Sequence, residues 1–269
     1  MIDKENHSKK LLLQAINATI KGGYEIMEVY NSNFAVKFKE DKSPLTLADE
    51  KCNEVIERDL RKTNIPILSE EGTKTPYSER KNWRYSWLVD PLDGTKEFVN
   101  RNGEFTVNIA LIHRGSPIIG VIYVPVQKEL YFASKEVGSY KKTQVSTEIL
   151  KLDELIKNSD KLPITNYRET YTIVGSRSHM SAATEIFFEE KKQKHEEVKV
   201  IAVGSSLKLC MVAEGKADAY PRYAPTMEWD TAAGHAIAKF AGFSVIQYNS
   251  SDEIVYNKEE LKNPWFLVK

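Results

Sequence analysis

Apolar residues recur at helical spacing in two stretches near the start of the chain. The first stretch, residues 11–30, repeats apolar positions every three or four residues and predicts an amphipathic helix. The second begins at Thr46, a good N-cap, with Asp49 as its capping-box partner, and it continues to Leu60. Between them, residues 33–40 alternate between apolar and polar side chains, which predicts a strand with one buried face.

Beyond the second helix, the pattern changes to that of short strands separated by turns. The predicted strands are 65–68, 83–89, 105–111, 118–124 and 130–133, followed by a hairpin at 137–140. Their short connections predict a mainly antiparallel, meander-like sheet. The first half of the chain is therefore expected to combine two helices with a sheet, as an α+β domain.

The second half follows a polar, weakly patterned stretch at residues 141–169, where we place a domain boundary. Predicted strands at 170–174, 198–203, 217–220 and 243–247 alternate there with predicted helices at 178–192, 205–214 and 230–241. Such alternation is typical of an α/β domain. We therefore expect an α+β domain over residues 1–150 and an α/β domain over residues 151–269.

Composition limits the class of protein. The 269 residues are 41% hydrophobic and 28% charged, which is enough apolar material for a sizeable core. The 38 basic and 38 acidic residues balance, and this disfavours a nucleic-acid-binding protein, which would be basic. Cys52 and Cys210 lie among apolar residues, as reduced thiols of a cytoplasmic protein do. No stretch approaches ~18 consecutive apolar residues, so no integral membrane span is expected.

The stretch Asp90–Thr95 is the strongest candidate for chemistry. Two carboxylates, Asp90 and Asp93, lie three residues apart at the end of a predicted strand, in a turn fixed by Pro91 and Gly94. Carboxylates held this close repel each other unless a proton or a cation lies between them. Mg²⁺ prefers such oxygen ligands. The alternative is an ordinary turn, because Asp, Pro and Gly are common turn residues.

Three more carboxylates are candidates, and each has a simpler local explanation. Glu70 follows the predicted strand 65–68, where a ligand site and a solvated loop are both natural. Asp49 could face the same site or act only as a capping partner of the second helix. Asp230, directly after Trp229, is read by itself as the N-cap of the last long helix.

Two Gly/Ser-rich turns in the second half are candidates for binding an anion. They are 175–179, which ends in His179, and 204–208, which contains Ser205 and ends in Lys208. Each precedes a predicted helix, and backbone N–H groups at a helix N-terminus favour anions. Either turn could equally be a plain helix start, and Lys208 and Arg222 could be solvated surface charges.

The combination of these motifs is more specific than any one of them. Ser69-Glu70-Glu71, then Asp90-Pro91-Leu92-Asp93-Gly94-Thr95, then Trp229-Asp230-Thr231-Ala232-Ala233-Gly234 resembles the inositol monophosphatase superfamily of metal-dependent phosphatases. The sequence around the second motif is similar to the 3′(2′),5′-bisphosphate nucleotidase branch. Lys96-Glu97-Phe98 occupies the position where inositol monophosphatases usually carry Thr-Asn-Phe. The resemblance implies a layered αβαβα sugar-phosphatase fold with the site between two domains.

The resemblance also implies a set of site residues. Two or three Mg²⁺ ions are expected, with one held by Glu70, Asp90 and the Leu92 carbonyl, and a second by Asp90, Asp93 and Asp230. Glu70 and Thr95 would orient the attacking water, and Asp49 would accept a hydrogen bond from Thr95. Substrate-binding residues implied by the resemblance are Glu70, Leu92, Asp93, Gly94, Thr95, His179, Ser205, Lys208, Arg222 and Asp230.

The activity that the resemblance implies is hydrolysis of the 3′-phosphate of 3′-phosphoadenosine 5′-phosphate, or of a related bisphosphate, to AMP and phosphate in sulfur metabolism. Alternatives are an inositol or sugar monophosphatase of the same superfamily and a catalytically silent nucleotide-binding sensor. The partner is a small molecule in each case. The resemblance leaves open whether the protein is a monomer or a homodimer, and whether it lies peripherally on the inner face of the cell membrane.

Overall fold

The computed structural model describes residues 2–32, 36–38, 44–145, 148–165, 169–175 and 181–269. The helices are α1 (Ile2–Tyr30), α2 (Leu47–Leu60), α3 (Tyr77–Arg80), α4 (Thr95–Val99), α5 (Leu152–Lys157), α6 (Ala182–Lys192), α7 (Leu207–Ala213) and α8 (Glu228–Phe240). The strands are β1 (Val36–Phe38), β2 (Pro44–Thr46), β3 (Ile67–Ser69), β4 (Tyr85–Asp93), β5 (Thr106–His113), β6 (Ser116–Val124), β7 (Glu129–Ser134), β8 (Gly138–Lys142), β9 (Asp160–Lys161), β10 (Tyr171–Gly175), β11 (Val198–Ala202), β12 (Tyr220–Arg222), β13 (Val245–Gln247) and β14 (Phe266–Val268).

A seven-stranded sheet in the order β3-β4-β5-β6-β7-β8-β9 forms the centre of the molecule. Strands β4 to β9 are joined antiparallel, as the short connections predicted, and β3 runs parallel to β4. Of the strand predicted at 33–40, only Val36–Phe38 lies within the described residues, where it pairs with β2. The division of the chain near residue 150 stays a prediction, and the β8–β9 pair spans it.

The two faces of the central sheet are covered by different parts of the chain. Helices α1 and α2 cover one face through a core that includes Ile16, Ile56 and Trp87. Helices α7 and α8 cover the other face, where Leu209 and Ile237 pack with the side chains of the opposite pleat. Two small sheets, β10-β11 and β12-β14-β13, and then α6 lie beyond them. This layered arrangement of helices and sheets confirms the predicted fold class.

Helix α8 approaches the sheet unusually closely. A Cβ placed on Gly120 of β6 would stand 2.3 Å from the Ala233 carbonyl oxygen and 2.7 Å from the Ala236 Cβ. The small residues that follow Trp229 therefore let the helix backbone lie directly on the strand. This contact sets the height of the N-terminal end of α8 above the sheet.

Several details differ from the sequence-based predictions, including the following three. Helix α1 begins at Ile2, well before residue 11. Strand β4 continues to Asp93 and does not stop at Val89. The short C-terminal strand β14, which pairs with β12 and β13, was not predicted. Within the described ranges, none of the helices combines the length and apolarity needed to cross a bilayer.

Candidate active site

The Asp90–Asp93 segment is a bulged end of a strand. Asp90 pairs with Asn108 and Asp93 with Thr106, so the segment has one residue more than its partner strand β5. Pro91 has no N–H to give to the ladder, which explains why the register shifts there. The bulge places both carboxylates at the C-terminal end of β4, and Asp90 is only 1% exposed.

Glu70 lies at the same end of the sheet and comes directly after the neighbouring strand β3. Strands β3 and β4 are parallel, so their carboxyl ends meet. The Glu70 backbone N–H donates to the Val89 carbonyl at 3.1 Å, directly before Asp90. Glu70, the candidate carboxylate at this strand end, therefore lies at the same end of the sheet as Asp90.

Asp230 comes from the second half of the chain, at the start of α8. The prediction that it is the N-cap is wrong, because Met227 is the N-cap and Asp230 is three residues further on. Its Oδ2 accepts a hydrogen bond from the Met227 backbone N–H at 2.9 Å. One carboxylate oxygen closes the first turn of the helix, and the other is left to the site.

Carboxylate oxygens of Glu70, Asp90 and Asp230 lie within 4.8 Å of one another. Asp93 is not part of this group of three. Its Oδ2 accepts from the Ser206 N–H at 2.5 Å and from Asn108 Nδ2 at 3.4 Å. The Leu92 carbonyl, also expected to be a ligand, accepts from Thr95 Oγ1 at 3.3 Å.

The site aspartates Asp90, Asp93 and Asp230 have raised pKa values, mainly because they are buried. Burial, followed by repulsion from Glu70, Asp93 and Asp230, raises the pKa of Asp90 well above its usual range. Burial raises the pKa of Asp230 to about 8 and that of Asp93 to about 6, and for Asp93 the nearby Lys208 opposes the shift. Buried carboxylates in this state need a proton or a cation. An all-oxygen, multiply charged donor set fits a hard divalent ion such as Mg²⁺.

Asp49 combines the two roles that the sequence left open. Its Oδ2 accepts from the Thr46 backbone N–H at 2.8 Å and from Thr46 Oγ1 at 2.7 Å, which forms the capping box of α2. Its Oδ1 lies 3.3 Å from Thr95 Oγ1. The local cap and the contact with the site therefore coexist on one carboxylate.

Gly94 connects the strand to α4 in a conformation that other residues avoid. Its φ is +93°, and a Cβ there would stand 3.2 Å from the Glu104 carbonyl oxygen. The Gly94 carbonyl accepts from the Phe98 N–H at 2.9 Å, so Thr95 begins a short helix. This turn points Thr95 toward Asp49.

A cavity of about 130 Å³ opens beside the carboxylates. Its lining includes the predicted site residues Asp93, Gly94, Ser205, Lys208, Arg222 and Asp230. His179, the remaining candidate for this region, lies outside the described residues, as does the rest of 176–180. The structure therefore brings bases from the second half of the chain beside the carboxylates from the first.

Lys208 and Arg222, the two predicted bases that line this cavity, are not solvated surface charges. Lys208 is 6% exposed, and its Nζ donates to the Ser205 carbonyl at 2.6 Å and to the Val203 carbonyl at 3.2 Å. Burial lowers the pKa of Lys208 to about 8. Arg222 donates from Nη2 to the Pro225 carbonyl at 2.9 Å, and within the described part of the chain its buried Nε has no hydrogen-bond partner.

Sequence reasoning missed Asn108, Ser206 and Tyr220. Tyr220 lines the cavity, and Asn108 and Ser206 contact Asp93. Asn108 left a signal, because it is a polar residue in a strand whose two faces are both covered by helices, so its amide must find a polar partner. The sequence carried no comparable signal for Ser206 or Tyr220.

Comparisons with known proteins agree on one family. The inositol monophosphatase family model matches residues 7–265. The chain is 41% identical to the 3′(2′),5′-bisphosphate nucleotidase CysQ of Salmonella typhimurium over 96% of this chain and 99% of that protein. It is 32% identical to the Haemophilus influenzae protein of the same name over 97% of this chain and 93% of that protein.

Solved structures give the same result. The crystal structure of CysQ from Bacteroides thetaiotaomicron, a bacterial member of the inositol monophosphatase family, is 49% identical, with a TM-score of 0.90 over 97% of each chain. The Thermotoga maritima IMPase TM1415 is 20% identical, with a TM-score of 0.72 over 99% of this chain and 92% of that one, which shows a shared fold. The chain belongs to the inositol monophosphatase family.

Proposed function

We propose that the chain is a Mg²⁺-dependent 3′(2′),5′-bisphosphate nucleotidase that hydrolyses the 3′-phosphate of 3′-phosphoadenosine 5′-phosphate to AMP and phosphate. The observation that carries the proposal is one cavity lined by the carboxylates of Asp93 and Asp230 together with the bases Lys208 and Arg222. A bisphosphate needs two anion sites, and a monophosphate needs one. The similarity to proteins named CysQ over nearly the whole chain supports the same choice.

The carboxylates are the residues that would hold the metal. Glu70, Asp90 and the Leu92 carbonyl would hold one Mg²⁺, and Asp90, Asp93 and Asp230 a second. When bound, the ions neutralise the cluster, polarise the scissile phosphate and favour ionisation of water. The raised pKa values of Asp90, Asp93 and Asp230 support this fit, because the cluster is unfavourable as bare anions.

Thr95 and Asp49 would handle the proton of the attacking water. Thr95 Oγ1 lies 3.3 Å from Asp49 Oδ1, so its proton can be directed to the carboxylate while its lone pair accepts from water. The water oxygen attacks phosphorus, the bond to the ribose 3′-oxygen breaks, and that oxygen takes a proton from solvent water, while the proton of the attacking water leaves through Thr95 and Asp49 to solvent. Burial of Asp49, which is 2% exposed, keeps bulk water from competing for this hydrogen bond.

Lys208 and Arg222 would bind the second phosphate, with Ser205 and His179 as further candidates. Both side chains line the cavity, where Lys208 Nζ donates to two backbone carbonyls and the Arg222 Nε lacks a partner among the described residues. Charge-assisted hydrogen bonds of this type are about twice as strong as neutral ones. They would favour the bisphosphate over a monophosphate.

A substrate panel tests the proposal. Phosphate release is measured with Mg²⁺ from 3′-phosphoadenosine 5′-phosphate, inositol 1-phosphate and fructose 1,6-bisphosphate. We expect the nucleotide to give the highest kcat/KM, and no release after Mg²⁺ is removed with a chelator. A preference for inositol 1-phosphate would contradict the nucleotidase activity, and tight nucleotide binding without turnover would indicate a sensor.

A further inference from the structure

The turn that carries Ser205 and Lys208 is fastened to the first half of the chain, not only to its own domain. The Gly204 N–H donates to Glu104 Oε2 at 2.8 Å. The Ser206 N–H donates to Asp93 Oδ2 at 2.5 Å. A Cβ on Gly204 would stand 2.8 Å from the Glu97 side chain, so the turn lies against the first half without a gap.

The Ser206 side chain forms a second, buried connection across the same contact. Its Oγ lies 2.8 Å from Thr106 Oγ1 and 2.9 Å from Asn108 Oδ1. The Asn108 amide in turn lies 3.4 Å from Asp93 Oδ2. The three side chains are at most 2% exposed, so water does not compete for these hydrogen bonds. We call Thr106, Asn108 and Ser206 the buried clamp.

The turn is held together by its own contacts. Lys208 Nζ holds the carbonyls of Val203 and Ser205, and Ser205 has a φ of +47°, which a non-glycine residue adopts only when its surroundings hold it there. A displacement of Ser205 or Lys208 is therefore transmitted to Ser206. Because Ser206 donates to Asp93, the orientation of that carboxylate depends on the position of the turn.

We propose that Ser206 and Asn108 are positioning residues that couple binding of the substrate's second phosphate to binding of the metal. The phosphate fixes the turn at Ser205 and Lys208, the buried clamp fixes Asp93 Oδ2, and Asp93 then presents its other oxygen to the metal. The inference rests on the proposed function, which assigns Asp93 to the metal and the turn to the second phosphate. The coupling is reciprocal, so Mg²⁺ strengthens phosphate binding by the same factor.

The test is a Mg²⁺ titration of the metal-free protein by calorimetry, in the presence of saturating AMP and in the presence of adenosine. AMP carries the phosphate that stays on the product, and adenosine carries none. In the wild type, we expect AMP to lower the Kd for Mg²⁺ at least about fivefold relative to adenosine. In Ser206→Ala and in Asn108→Leu, the ratio is expected to fall below about twofold.

Ser139→Ala is the matched control. Ser139 is a buried serine of β8 whose Oγ has no hydrogen-bond partner among the described residues. It should keep the wild-type ratio. A ratio near one in the wild type, or an unchanged ratio in both clamp variants, overturns the coupling. Neither Mg²⁺ titration, with AMP or with adenosine, needs turnover. Failure of the substrate panel and failure of the coupling are therefore separate results.

Discussion

Gly120 lies directly beneath Ala233, at a distance that leaves no room for a side chain on the glycine. The contact joins β6 to α8, and α8 begins with the turn that carries Asp230. The position of Asp230 over the other carboxylates therefore depends on the absence of one methyl group in the sheet. A phosphatase site assembled from two halves of a chain needs such a fixed contact.

Gly120→Ala is expected to lower the free energy of unfolding by about 1–3 kcal/mol, because the added Cβ overpacks the contact with the Ala233 carbonyl. It should also weaken Mg²⁺ binding, since α8 can relieve the clash only by lifting Asp230. Thermal unfolding with and without Mg²⁺ measures both effects. Gly175→Ala is the control, because among the described residues its Cβ would meet only the Phe188 ring, at 3.7 Å. Equal behaviour of the two variants would contradict the role of the contact.

Asp93→Asn is expected to reduce turnover by more than about 100-fold, because it removes one charge from the proposed metal site. The metal-free variant should be more thermally stable than wild type at pH 8, since repulsion with Asp230 falls and the acceptor for the Ser206 N–H remains. Phosphate release and thermal unfolding are the measurements. Asp153→Asn, at an exposed site on α5, should change neither. Activity within a few-fold of wild type would refute the metal assignment of Asp93.

Thr95→Val is expected to lower kcat by about 10²–10⁴-fold at saturating Mg²⁺, because it removes the hydroxyl that contacts Asp49 and is proposed to accept the proton of the attacking water. Thr95→Ser keeps that hydroxyl and should retain most of the activity. Single-turnover phosphate release compares the two variants. If valine and serine perform alike, the proton does not pass through this side chain.

Lys208→Met is expected to raise KM for 3′-phosphoadenosine 5′-phosphate by about 10–100-fold, which is the loss of one charge-assisted hydrogen bond. The kcat/KM for 3′-AMP, which has no second phosphate, should fall much less. The ratio of the two substrates therefore separates phosphate recognition from a general loss of fold. An equal loss for both substrates would mean that Lys208 only supports the turn through Val203 and Ser205.

His235 predicts an acid-sensitive contribution to stability. It is fully buried in α8, its Nδ1 lies 3.0 Å from the Tyr256 hydroxyl, and burial lowers its pKa to about 3. A depressed folded-state pKa means that the contribution is present above about pH 6.5 and is lost as the pH falls from there toward 3. His235→Gln should make the unfolding free energy less steep over that range, by up to about 1.4 kcal/mol per pH unit. Chemical unfolding of both proteins at several pH values measures the difference, and parallel curves would contradict it.

Much of the site could be predicted because its signals are local. The capping box of α2 needs only Thr46 and Asp49, three residues apart, and the strand that ends at Ser69, directly before Glu70, is visible in its own apolar run. The predicted role of Asp230 as an N-cap was wrong because that prediction also used only local preference. Acidic residues are favourable both as N-cap and at the third helical position, so local preference does not choose between them.

The remaining part of the site depends on contacts between distant residues. Ser206 and Asn108 are 98 positions apart, and nothing near either residue indicates the other. The continuation of β4 through Pro91 was also hidden, because proline and glycine are typical of a turn and the bulge exists only through its pairing with β5. Such relationships arise from the fold as a whole.

The covering of the central sheet has a consequence for synthesis on the ribosome. Strands β3 to β9 are complete once Lys161 has emerged, but the face bearing Leu88, Ala110 and Ile122 is covered only after α8 has emerged. Roughly 80 residues separate the two events, which corresponds to ~4–16 s at the usual rate of translation. During that interval, the nascent chain displays an apolar sheet face, and this is the stage at which it depends most on chaperones.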